Sequence, residues 1–463
     1  MNTATANSSI PYEPRDARLS LLQRSISIGI ACALTVCLSV FTGGPDPKIG
    51  LLVGGACVLI GGRRLLSPAV WPLLAISAYV LFLSLFFPGS RPEGGIVFQF
   101  PLFAIDCMLL ATLGLGGQSV RRQYGLLLGI LVISFIGTVG DVTGHDMIAM
   151  LPFTLPDDDN FYKVTLLGDI GRARGFFPES GVLGAVSLGF ATILGLGALV
   201  LIRFRASGGY AWLGLMGAAG LGGAIFCLTV TKSGLVMVAA GVLGFLMVLF
   251  FARNARCRGV AAVSFVAAML AGAAFLTVPS TLSSYFRGEI LAAFVPGQLG
   301  TTMASHSGMI TRLQCWRIAL TSIRLYPSGV GAYGLGPVLS EMGDAGFSGE
   351  LRRMFSHDIF GLQNALANLI SEGGVPAVGL LLYWLWVAFM RPIRHFLKDG
   401  SEAGAIVGAV YGASALACVA FLFSCELYPS FAFLLVLKFH ADAIAKACTV
   451  EPASRVESIE LIG

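Results

Sequence analysis

Apolar residues in this chain come in long blocks separated by short polar breaks. About 20 apolar residues span a bilayer as a helix, and fewer suffice where tilt is small or the membrane thins. By that measure the pattern predicts spans at 25–42, 49–62, 66–87, 96–117, 124–140, 181–202, 210–229, 233–251, 259–278, 371–390, 403–423 and 427–440. The expected fold is an all-α polytopic membrane protein of about twelve transmembrane helices. The second block is cut short by Arg63-Arg64, and the last by the polar tail.

Basic residues orient these spans. With the N-terminus in the cytoplasm, the cytoplasmic breaks hold Arg63 and Arg64, Arg121 and Arg122, Arg203 and Arg205, the Arg253, Arg256 and Arg258 group, and Arg391, Arg394 and Lys398. The short breaks on the other side hold only Lys48, Arg91 and Lys232. Short cytoplasmic loops carry the excess of Lys and Arg, so both termini are expected in the cytoplasm. Dropping any one weak span would destroy the alternation. The resulting division is a cytoplasmic tail (1–24), spans one to five (25–140), an outer loop (141–180), spans six to nine (181–278), a large outer loop (279–370), spans ten to twelve (371–440) and a cytoplasmic tail (441–463). The first block lacks a small-residue cleavage site, which reads as a retained span and not a signal peptide.

Composition agrees and removes other classes. The chain is 56% hydrophobic and 12% charged, where a soluble domain carries about 25% charge. A net charge of +5 is too mild to mark a nucleic-acid surface. Cys32, Cys37, Cys57, Cys107, Cys227 and Cys418 sit inside apolar blocks, and no Cys-x-x-Cys pair occurs. Neither a zinc site nor a redox pair is suggested, and no metal or cofactor is expected. Asp106 lies within the fourth block. It reads either as a hydrogen-bonded carboxyl holding helices together or as the proton carrier of a transporter.

Two long polar excursions on the outer side are where a working surface belongs. In the first, Asp157-Asp158-Asp159 reads as a solvated run, with a divalent-cation site as the sharper alternative. Near its end, Arg172 and Arg174 suit a lipid-linked phosphate as readily as carboxylates. Pro178, Glu179 and Ser180 follow; proline and acid in a first turn are also ordinary helix-start signals. Lys232 sits at the short outer turn between spans seven and eight.

In the second excursion the spacing predicts a helix over 308–325. Met309, Leu313, Trp316, Leu320 and Ile323 recur at helical spacing and form its apolar face. Arg317 and Arg324 share another face, with Arg312 off that stripe. Such a helix rests on a membrane rim, and its arginines suit oxyanions. The glycine-rich stretch 326–337, with Gly329 and Gly331, is irregular backbone able to approach a ligand closely. It lacks a Walker-type pattern, so a nucleotide loop is excluded. His357 then stands at the mouth of the last helical hairpin, where an imidazole can take a proton at neutral pH. Asp358 beside it points away, and Glu372 heads span ten next to Gly373-Gly374.

These segments, taken in order against the spans, resemble the bacterial O-antigen ligase and polysaccharide polymerase superfamily. The likeness covers the whole topology, including a large outer loop between spans nine and ten. The family's Arg-x-x-Gly-Phe stretch looks like Arg172 or Arg174 followed by Gly175-Phe176-Phe177. Its basic residue before span eight looks like Lys232-Ser233-Gly234, where many members carry Arg. Its arginine helix followed by Pro-x-x-Gly-x-Gly looks like Arg312 to Arg317 and then Pro327, Gly329 and Gly331. Its His-Asn before span ten looks like His357-Asp358, with Asp departing from the family's Asn, and its glutamate-glycine looks like Glu372-Gly373.

The resemblance implies an enzyme of the bacterial inner membrane with its active side in the periplasm. The implied partners are an undecaprenyl-diphosphate-linked glycan, a glycan acceptor, the bilayer and a chain-length regulator; nucleic acid is not among them. The implied chemistry is glycosyl transfer with inversion at the anomeric carbon. His357 would deprotonate the acceptor hydroxyl, with Glu179 as the alternative base, while Arg172, Arg174, Lys232, Arg312 and Arg317 neutralise the departing diphosphate. Arg324, Gly329, Gly331, Asp358 and Glu372 belong to the substrate loop. The Pro178-Glu179-Ser180 stretch is similar to the Glu-Pro-Ser region of some polymerases, which favours polymerisation of repeat units. The alternatives are ligation to lipid A-core, transfer to a protein hydroxyl, and, from a different class, a lipid-glycan or solute transporter.

Overall fold

The computed structural model describes residues 68, 70–86, 120–145, 173, 175, 180–205, 209–229, 231–277, 307–331, 334–342, 364–398, 400–424 and 431–460. About nine in ten of these are helical, and none of the described residues lies in a strand. In chain order the helices are α1 (Trp71–Phe86), α2 (Val120–Val142), α3 (Ser180–Phe204), α4 (Tyr210–Thr229), α5 (Lys232–Phe251), α6 (Ala255–Thr277), α7 (Ser307–Leu325), α8 (Gly336–Met342), α9 (Ala365–Leu385), α10 (Arg391–Lys398), α11 (Glu402–Ser424) and α12 (Phe431–Glu460). A π-helical turn, Trp386–Met390, joins α9 to α10.

Seven stretches among the described residues are long and apolar enough to cross a membrane: Gln123–Val142, Leu183–Phe204, Tyr210–Thr229, Ser233–Phe251, Ala255–Ala274, Ala365–Lys398 and Glu402–Ser424. The exposed surface makes the same point. Along α6, Val263 is 71% exposed and Leu270 66%, with Val260, Phe265, Val266 and Met269 also uncovered. Water does not tolerate an apolar surface of that extent on a monomer, whereas lipid covers it without penalty. The chain is a multi-pass all-α membrane protein.

Inside lipid, helices associate through close packing, which small residues permit. α5 and α11 cross at Gly244 and Gly412. A methyl group at Gly244 would come within 2.3 Å of the Gly412 carbonyl oxygen. α3 packs between α4 and α5, and α12 closes over α3 and α11. The centre is filled by aromatic rings: Phe433 stacks on Phe421 with centroids 4.2 Å apart and leans on Phe190 at 4.9 Å. Lys438 carries its charge into the buried part of the bundle. Lys438 pairs with Asp442 one turn along α12, and Tyr411 of α11 donates to the same carboxylate at 2.6 Å.

The two ends of the bundle differ. At one end Glu402 bridges Arg203 at 3.0 Å and Arg256 at 3.5 Å, and Gly400 packs on Arg253. The basic breaks after α3, between α5 and α6, and along α10 meet there. At the other end the Gly175 amide donates to Asp141 of α2 at 3.4 Å, and the Asn364 side chain donates to the Phe423 carbonyl of α11 at 2.9 Å.

Most expected spans fall on helices, with two differences. The block expected at 371–390 begins earlier, at Ala365, because Asn364 caps the helix by accepting from the Ala367 amide at 3.0 Å. The last block does not give way to a separate tail at 441. α12 runs on to Glu460, since Ala441, Ile444, Ala445 and Cys448 continue its buried face. The blocks at 25–42, 49–62 and 96–117, with Asp106, lie outside the described residues, as do Asp157-Asp158-Asp159.

Candidate functional site

The site is built around a break in α9. The sequence Glu372-Gly373-Gly374-Val375-Pro376 cannot continue a regular helix. Proline has no amide hydrogen, and its ring collides with the carbonyl four residues back, here Glu372. Gly374 takes the break, with φ +57° and ψ −155°, a backbone region essentially confined to glycine. The Glu372 carbonyl is thereby left without the amide of residue 376, and the Ser371 carbonyl and Val375 amide part company. In an apolar environment such groups need partners.

The loop after α7 supplies them. Val330 donates its amide to the Ser371 carbonyl at 3.0 Å, and Gly331 donates to the Glu372 carbonyl at 2.9 Å. In return the Val375 amide donates to the Pro327 carbonyl at 2.8 Å. The Ser322 hydroxyl adds a longer contact to the Ser371 carbonyl, 3.4 Å. Each backbone bond lost at the break is thus replaced by one from the Pro327–Gly331 strap.

The strap fits because side chains are missing where backbones touch. A methyl at Gly329 would lie 2.4 Å from the Glu372 oxygen, and one at Gly374 would lie 2.3 Å from the Pro327 oxygen. Gly329 also needs its positive φ of +93° to turn the strap after the Gly329 amide bonds to the Tyr326 carbonyl. On its other side the strap lies on α1: a methyl at Gly331 would meet the Ser84 amide nitrogen at 2.7 Å, and the Tyr79 hydroxyl donates to the Ser328 carbonyl at 2.8 Å. Behind the strap, Cys315, Ile318 and Ala319 of α7 form a small apolar core with Val330, Leu335, Val338, Ala367 and Ile370. Trp316 stacks on Phe423 with centroids 5.2 Å apart.

α7 spans Ser307–Leu325, close to the expected helix, but it buries a different face. Cys315, Ile318, Ala319 and Ser322 are fully buried, whereas Leu320 of the expected stripe is 63% exposed. The buried face is rotated roughly 130° from that stripe, at about 100° per residue. Arg317 and Arg324 lie opposite the buried face, exposed, and no described residue pairs with either. Between them Leu320 makes the outward side part apolar and part cationic.

Of the residues singled out from sequence, the structure brings Gly329, Gly331 and Glu372 together, with Glu372 buried in the break instead of heading the span. The glycines approach the chain's own helix. Arg317 and Arg324 sit on the far side of the helix that the strap anchors. Lys232 and Arg312 are placed as helix positions, on α5 and α7, and their side chains lie outside the described residues. Arg172, Arg174, Glu179, His357 and Asp358 lie outside the described residues as well. The neighbours of the first two are described: Ala173 and Gly175 are buried, and Gly175 rests on the Gly137–Thr138 backbone of α2. That contact lies at the same end of the bundle as the strap. Pro376, Ser371 and Tyr79 carry no expectation from the sequence, and Gly374 stands there only as a neighbour of Glu372, although Gly-Gly-x-Pro within an apolar block is a legible breaker. Among the described residues no three His, Cys, Asp or Glu side chains converge as metal ligands.

Comparison with known proteins adds no assignment: no family model matches the chain, and no curated protein matches it.

Proposed function

We propose that the protein is a membrane glycosyltransferase that polymerises undecaprenyl-diphosphate-linked oligosaccharide repeat units. The observation that carries this reading is α7: a helix fixed to the membrane bundle on one side, with Arg317 and Arg324 exposed on the other and without an ion-pair partner among the described residues. Guanidinium groups beside apolar surface suit a ligand that is a diphosphate at one end and a lipid at the other. In this reading the chain has about twelve spans with both termini in the cytoplasm. The strap end then faces the periplasm of the bacterial inner membrane, and the Arg203–Glu402–Arg256 end faces the cytoplasm.

The reaction forms one bond and breaks one. An acceptor hydroxyl oxygen attacks the anomeric carbon of the donor glycan, and His357 takes the hydroxyl proton, with Glu179 as the alternative base. The bond from that carbon to the diphosphate oxygen breaks, and its electron pair leaves with the diphosphate. Arg172, Arg174, Lys232, Arg312 and Arg317 offset the charge that develops there. Attack opposite the leaving group inverts the anomeric centre. No nucleotide is needed, because the donor carries its own leaving group, and cationic side chains stand in place of a metal.

A transporter is the rival that the broken helix brings forward, since discontinuous helices hold ions and substrates in transporters. Here the Ser371 and Glu372 carbonyls and the Val375 amide are occupied by the strap, so the break has no open backbone groups to offer at those positions. That favours the enzyme. The test is purified protein in detergent with a synthetic lipid-linked repeat unit and no nucleotide. Lengthened glycan and released undecaprenyl diphosphate are expected. A requirement for added lipid A-core would point to ligation, and no product with either acceptor would end the enzyme reading. Arg317→Ala should raise KM for the donor by about tenfold, as loss of one charge-assisted contact does.

A further inference from the structure

The strap does more than close a gap. It follows α7 directly, and through it α7 is tied to two other helices. Its amides enter α9 at Ser371 and Glu372, its carbonyl at Pro327 receives the Val375 amide, and its Ser328 carbonyl receives the Tyr79 hydroxyl of α1. Apart from the Tyr79 hydroxyl these are contacts between backbones, with no room for a side chain at Gly329, Gly331 or Gly374. Backbone bonds of this kind fix both distance and direction, which apolar packing of α7 alone would not. The apolar face of α7 is small, and its outward face carries the two arginines.

We propose that the strap and the helix break form a clasp that orients α7, with Gly329, Gly331 and Gly374 acting as positioning residues for Arg317 and Arg324. What the oriented arginines bind rests on the function proposed above; the clasp itself does not. The break in α9 thus exists to receive the strap. A straight α9 would leave Val330 and Gly331 with unmet amides and α7 with one fewer fixed direction.

Cys315 is a native reporter of this arrangement, because it is fully buried under α7. Cys418, fully buried in the central bundle, is an internal control for folding. The experiment labels full-length protein in detergent micelles with a thiol reagent, read peptide by peptide against the same protein unfolded. In the native chain both cysteines should be protected. In Gly374→Ala and Gly329→Ala, Cys315 should label at least about tenfold faster while Cys418 stays protected, as expected for local opening. Should Cys418 also label, the variant has lost its fold, and Tyr79→Phe decides instead. That change removes one hydroxyl and should speed Cys315 labelling about threefold, the effect of one modest hydrogen bond.

Kinetics separate positioning from mere stability. With lipid-linked donor, Gly374→Ala should raise KM about tenfold with a smaller change in kcat, and Arg317→Ala added to it should cost little more. Cys315 reactive in the folded native protein would overturn the clasp. So would protection that survives both Gly374→Ala and Tyr79→Phe. A protein that shows the labelling pattern but makes no glycan keeps the clasp and loses the proposed function. One that makes glycan with Cys315 freely reactive does the reverse.

Discussion

The two ends of this molecule are held by different chemistry. At the strap end the joining groups are backbone amides and carbonyls, shared between Pro327–Gly331 and the Ser371–Val375 turn. At the opposite end they are side-chain charges, with Glu402 between Arg203 and Arg256. Backbone bonds between closely packed segments are directional and little affected by salt, and almost no substitution reaches them except at glycine. Exposed charge pairs are weak and screened. The strap end is therefore built for a fixed geometry and the opposite end for tolerance. Arg317 and Arg324 of α7 sit with the fixed end.

Substitutions sharpen this contrast, and the largest effect is expected at the break. Gly374→Ala places a methyl group against the Pro327 oxygen in a backbone region that alanine avoids. The loss should be about 3–5 kcal/mol in chemical or thermal unfolding followed by intrinsic fluorescence. An effect no larger than an ordinary helix substitution would show that the strap is not seated as described.

A middle effect belongs to the buried charge. Asp442→Ala leaves Lys438 in the bundle without its carboxylate, although Tyr411 remains close. Removing one partner of a buried pair costs about 3–5 kcal/mol, and the partly exposed Asp442 brings the expectation down to about 1–3 kcal/mol. The double variant Lys438→Met with Asp442→Ala should recover most of that loss, as measured by the same unfolding. No recovery would mean that the pair is a structural requirement and not a neutralised charge.

The smallest effect is expected at the opposite end. The Arg203 and Arg256 side chains are 65% and 77% exposed, so Glu402→Gln should change stability by less than about 1 kcal/mol. Whatever difference appears at low salt should fade at high salt. A large, salt-independent loss would erase the contrast between the two ends.

Much of the fold is legible in the sequence because lipid demands long apolar blocks, and α2 to α6 and α11 fall where those blocks lie. The faces of helices are harder to read. On α7 the large residues Leu313, Trp316 and Leu320 predict one side, yet the helix buries Cys315, Ala319 and Ser322. Close backbone approach favours small residues, and a leucine facing lipid loses nothing, so counting bulky apolar positions finds the wrong stripe. The break at Gly374 and Pro376 is visible as a breaker pair. The strap that fills it is not, because its partners lie some forty residues away and are carbonyls, which carry no sequence identity. Glu372 and the strap glycines stand out in the sequence for the right location, while their part in a backbone junction appears only with the fold.

Sidedness tests the central claim most directly. Ser340→Cys, exposed on α8 after the strap, and Ser401→Cys, exposed at the opposite end, can be labelled with a membrane-impermeant thiol reagent in intact cells and read by peptide. We predict that residue 340 labels in intact cells and residue 401 only after the membrane is opened. Labelling at 401 alone in intact cells would put Arg317, Arg324 and the strap on the cytoplasmic side, away from any periplasmic glycan, and would contradict the proposed function.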